Sequence, residues 1–117
     1  MPPGDRFADR LRADTYARDE GVQLDFGDPS SAVFVPERLF ARAQCMARAY
    51  ELHLLPTIDI YSQTRLNRPQ CETLLDEIDF IAMVSNDELL HDQLGHVQRV
   101  ISACLGGPQR ELFIEGP

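Results

Sequence analysis

The chain has 117 residues, 44% hydrophobic and 26% charged, with 11 basic against 19 acidic side chains and a formal net charge of −8. That length suits one domain, in which a compact fold buries roughly two-thirds of the surface its unfolded chain exposes, so a core needs neither disulfides nor metal. The acidity argues against nucleic acid, whose binders carry basic patches, and against anionic membranes, which repel like charge; no stretch approaches the ~18 uninterrupted apolar residues of a membrane span.

Residues 1–20 open with MPPG and continue dense in charge and alanine. Phe7, Leu11 and Thr15 share a weak stripe at i, i+4, i+8, which predicts a mobile arm or a short helix stopped by Gly21. Val22–Phe26 alternates apolar with polar residues, the strand period, and Gly27–Ser31 is a turn by composition. Ala32–Val35 is a second strand candidate, so the two runs predict a hairpin. Pro36 and Glu37 suit a helix start, and Leu39, Phe40, Ala43, Met46 or Ala47, and Tyr50 recur at helical spacing, which predicts a helix over 36–51. Beyond Pro56, Thr57–Tyr61 alternates Ile58 and Ile60 with Asp59 and reads as a short strand or an extended loop; residues 62–68 read as a polar connector.

Asn67 and Gln70 make a capping-box pattern with Pro69 in the first turn. The helix it opens carries Cys71, Leu74, Leu75, Ile78, Ile81 and Ala82 on one face. Ser85 and Glu88 make a second capping-box pattern. Leu90, Leu94, Val97, Ile101 and Cys104 follow at the cleanest helical spacing in the chain, ended by Gly106-Gly107-Pro108. Arg110–Ile114 is a terminal strand candidate. The expected fold is a single α+β domain: a small antiparallel sheet packed against a C-terminal antiparallel helical hairpin and one earlier helix.

Three cysteines, Cys45, Cys71 and Cys104, are too few and too irregular for a disulfide framework and read as buried free thiols. The N-terminus lacks the apolar core of a secretory signal, so the expected compartment is the cytoplasm. All basic residues are arginine, the codon signature of a G+C-rich and hence bacterial genome. Residues 1–50 hold 7 Arg against 8 acids, a net of −1, whereas residues 51–117 hold 4 against 11, a net of −7.

The chain carries no P-loop, GxSxG, HExxH, CxxC or strand-borne GxGxxG. His53 falls at a helix end, where capping is its plainer role, and His91 and His96 are five apart, a poor spacing for a shared metal. No cofactor or metal is expected. The densest polar cluster is Asp59, Tyr61, Thr64, Arg65 and Asn67, which turn and cap chemistry mostly explains. Asp59 stands out: an inward carboxylate there needs a partner, for which Arg65 or Tyr61 is available. The best surface candidate is the acidic stripe Glu72, Asp76, Asp79, extended by Asp87, Glu88 and Asp92, with Tyr61, Phe80 and Met83 as apolar anchors. Such a face is commonly just a solvated one, but it suits steering toward a basic protein.

Pro56, Ile58, Asp59, Tyr61, Thr64, Asn67, Gln70 and Leu74 form a P-x-I-D-x-Y-x-x-T-x-x-N-x-x-Q-x-x-x-L segment. It resembles small bacterial proteins of uncharacterised activity that share this pattern, over about half of the chain from Leu54 onward; their ending in Gly-Asp is only similar to FIEGP here. The resemblance implies a small α+β fold and brings no catalytic residues. Compact acidic proteins of this kind look like the immunity partners of bacterial toxins. The leading expectation is therefore a cytoplasmic immunity or antitoxin-like protein that occludes a toxin's active site. The alternatives are an adaptor or regulatory module, homodimeric in one form, and a small enzyme with a pocket around Asp59, Tyr61 and Arg65.

Overall fold

A computed structural model describes residues 21–27, 29–107 and 111–116. The expected arm or helix within 1–20 lies outside them. The element order is β1 (Gly21–Asp25), β2 (Val33–Pro36), α1 (Glu37–Ala49), β3 (Gln63–Leu66), α2 (Arg68–Val84), α3 (Glu88–Gly106) and β4 (Leu112–Glu115). All strand pairs are antiparallel, in the order β2-β1-β4-β3. The α+β architecture is as the residue pattern predicts, with α2 and α3 packed as the helical hairpin.

Strand alternation sorts the sheet into two faces. Val22, Leu24, Val35, Leu66, Leu112 and Ile114 point inward and are buried against the three helices. The opposite face carries Gln23, Phe34, Arg65, Phe113 and Glu115, and no described helix covers it. Phe34 is 61% exposed there and lies against Gly21, where a Cβ would come within 3.3 Å of it. The Arg65 guanidinium sits over Phe113, 5.6 Å from the ring centroid.

The α3 stripe is buried along its whole length, with Val100 added to the five expected residues. On α2, Leu75 and Ala82 are only half-buried, and Tyr50, the residue after α1, is exposed. Asn67 opens α2 through both arms of its capping box: its side chain accepts from Gln70 N–H, and Gln70 accepts from Asn67 N–H. The second expected box does not form. Asp87 caps α3 instead, accepting from Leu90 N–H, while Ser85 Oγ accepts from Asp87 N–H. Ser85 is engaged at the end of α2, which leaves the later carboxylate nearest the free amides.

Of the two readings of 57–61, the strand fails. Leu55–Thr57 is a 3-10 turn, and Ile58 and Ile60 are buried beneath a loop without joining the ladder. The strand lies in the supposed connector, at Gln63–Leu66. As an edge strand paired only to β4, it turns just Thr64 and Leu66 inward, so it needs little apolar character.

None of the three cysteines is in a disulfide, but Cys45 is exposed, because on α1 it faces away from Leu39, Phe40, Ala43 and Ala47. Burial above all, and then the neighbouring Cys104, push the Cys71 thiol up from 9.0 to about 11. The native state therefore holds the neutral thiol where the unfolded chain already ionises. Its contribution to stability is intact below about pH 9 and lost as pH rises toward about 11. Denaturant unfolding across that window should show wild type losing more stability than Cys71→Ala, although the variant is weaker throughout. Equal losses would contradict the assignment.

Candidate protein-binding surface

The exposed side of α2 is a single row. Glu72, Asp76, Asp79 and Met83 follow one another at i, i+4, i+7 and i+11, all exposed, with Met83 at 74%. The buried side of the same helix, Cys71, Leu74, Glu77, Ile78 and Ile81, fixes the row outward. Arg68 Nε lies 3.8 Å from Glu72, and Gln98 of α3 donates to Asp79 at 2.7 Å. Among the described residues Asp76 has no cationic partner.

This row is not explained by helix stability. Like charges at i, i+4 destabilise a helix by about 0.2–0.5 kcal/mol. α2 has no basic residue in its last turn to offset them.

The proposed extensions separate. Glu88 and Asp92 are exposed, and Asp92 lies 3.9 Å from His96 on the same helix. Asp87 does not belong to a free patch: it caps α3 and is ion-paired with Arg42 of α1, its side chain largely covered. His91 bonds the Ser85 carbonyl rather than standing free among the acids. Phe80 is half-buried in an edge-on contact with Tyr50, centroids 5.0 Å apart. Tyr50 is the more exposed ring of the pair and was not among the expected anchors.

Tyr61 is exposed, and its hydroxyl donates to Glu37 Oε1 of α1 at 2.9 Å rather than to any residue of the row. That hydrogen bond, and next the Glu37 charge, raise the phenol above its ordinary range. Asp59 is exposed and accepts from Tyr61 N–H at 2.9 Å, a turn contact rather than an inward charge. Thr64 and Arg65 sit on opposite faces of β3, and Asn67 is spent on its cap. The five polar residues therefore do not converge. A depression of about 380 Å³ touches Asp59 and Tyr61, together with Gln44, Arg48 and the 56–60 segment, but neither Thr64 nor Arg65 lines it.

What holds this segment in place was not foreseen. From α1, Gln44 donates to the carbonyls of Leu55 at 3.1 Å and Ile58 at 2.6 Å. From α2, the Glu77 carboxylate, 6% exposed, accepts from Leu54 N–H at 2.8 Å and Leu55 N–H at 3.0 Å. Gly116 closes the other side, so near the Ile60 carbonyl that a Cβ would fall 1.1 Å from its oxygen. Glu77 had a signal: it lies in phase with Leu74, Ile78 and Ile81, a charge inside an apolar stripe.

Among the described residues, no group of three His, Cys, Asp or Glu could hold a metal ion, and no helix is long and apolar enough to cross a membrane. Comparison with known proteins finds no matching family model, no matching curated protein and no matching solved structure.

Proposed function

We propose that the chain is a cytoplasmic bacterial protein of the immunity or antitoxin type, which binds a basic cognate toxin and occludes its active site. The observation that carries this reading is the outward row of α2, three carboxylates running into an exposed methionine, on a helix whose own stability the row does not serve. Exposed carboxylates would speed encounter with a cationic surface, and Met83, with Tyr50 and Phe80 nearby in sequence or contact, would supply the adaptable apolar area that holds a complex. The scattering of Asp59, Thr64 and Arg65 removes the arrangement an enzyme would need there, which favours binding over catalysis.

Tagged protein should capture a stoichiometric basic partner from its own bacterial lysate at low salt. The same capture should fail at high salt and with the Asp76→Arg/Asp79→Arg variant. A partner held equally by that variant, or none at either salt, sinks the reading. Phe34, 61% exposed on the sheet face that no described helix covers, supports a second one, a homodimeric adaptor. Concentration-dependent dimerisation removed by Phe34→Ser, and untouched by charge reversal on α2, would decide for it.

A further inference from the structure

The helical hairpin carries one buried cysteine on each of its two helices. Cys71 stands in the first turns of α2 and Cys104 in the last turn of α3, so the antiparallel arrangement brings them to the same end of the pair. Both are buried, at 0% and 2% exposure, and neither is in a disulfide. Cys71 belongs to the buried stripe of α2 and Cys104 to the buried stripe of α3, the two most closely packed helices, and Cys71 Sγ lies 3.7 Å from the Leu66 carbonyl. Two cysteines brought to one end of two packed helices can form a disulfide, provided the sulfurs can close to about 2.05 Å.

We propose that Cys71 and Cys104 are a closable dithiol that staples α2 to α3 under oxidation. With a diazene dicarboxamide oxidant such as diamide, the thiolate of one cysteine adds to the N=N bond. The second thiolate then attacks that sulfur, forming the S–S bond and breaking the S–N bond. The two thiols lose two electrons and two protons, and the oxidant leaves as the hydrazine. Burial keeps the reaction slow, since a buried thiol is poorly reactive, so closure proceeds through opening of the hairpin end next to Gly106 and Gly107. The staple would close the chain from 71 to 104, a long loop whose restriction in the unfolded state raises thermal stability.

The test uses the full chain carrying Cys45→Ser, because the exposed Cys45 would otherwise cross-link between molecules. Folded protein is incubated with diamide, then read by intact mass, thiol count and thermal midpoint. The expected product is a monomer about 2 Da lighter with no remaining thiols. Its midpoint should be higher by on the order of 10 °C, returning with reductant. A further Cys104→Ala variant should give no such product. Retention of both thiols by the folded protein, products heavier by bound oxidant alone, or a midpoint that falls on closure would each overturn the proposal.

Discussion

Replacing Glu77 with alanine lowers stability by about 2–4 kcal/mol, although the residue is acidic and sits among apolar neighbours. Its carboxylate accepts from Leu54 and Leu55, whose amides have turned inward where α1 gives way to the loop. A buried N–H left without a partner costs about 1–3 kcal/mol, and here two lose theirs at once. The loss of side-chain packing at a site 6% exposed adds to this. Glu77→Leu restores volume but not acceptors, so it recovers little. Glu77→Gln keeps one acceptor oxygen while turning an amide NH2 toward a donor, and falls between. Urea unfolding should show the midpoint falling with an unchanged slope, and thermal unfolding a drop of roughly 10–20 °C. An alanine variant within about 0.5 kcal/mol of wild type would mean that water or a neighbour satisfies those amides.

The same residue shows where the residue pattern carries information and where it does not. Helical spacing exposes α3, because every residue on its stripe is strongly apolar, and it exposes the row Glu72, Asp76, Asp79, because three acids at i, i+4, i+7 can only share a face. It hides β3, since an edge strand with one covered face requires a single large apolar residue, Leu66. It hides the end of α1 for another reason. There the chain stops with Glu51 at φ 58, while Leu52 N–H bonds Ala47 and Glu51 N–H bonds Arg48, a closure usually announced by glycine. Phe34 lies within an apolar run, and the period of two turns it outward between Val33 and Val35. Asp87 looks like one more surface acid until Arg42, 45 positions earlier, is placed beside it. Local chemistry is legible; pairings set by distant elements are not.

Reversing Asp76 and Asp79 to arginine should slow association with a basic partner by about 10–100-fold at low salt, with little effect on folding. Each reversal changes the charge by two, so the pair moves the chain's −8 to −4, and all of that change falls on one exposed face. Both side chains are solvated, and Asp79 gives up only its contact with Gln98, so stability should stay within about 1 kcal/mol of wild type. Stopped-flow association across an ionic-strength series separates the terms. Steering acts on the encounter and is screened by salt, so the two proteins should converge in association rate as salt rises. Met83→Ala should act differently, raising the dissociation rate at every salt concentration, because it removes contact area rather than field. If charge reversal leaves the association rate unchanged at low salt while Met83→Ala still weakens the complex, the apolar end of the row is the docking surface and its carboxylates are bystanders.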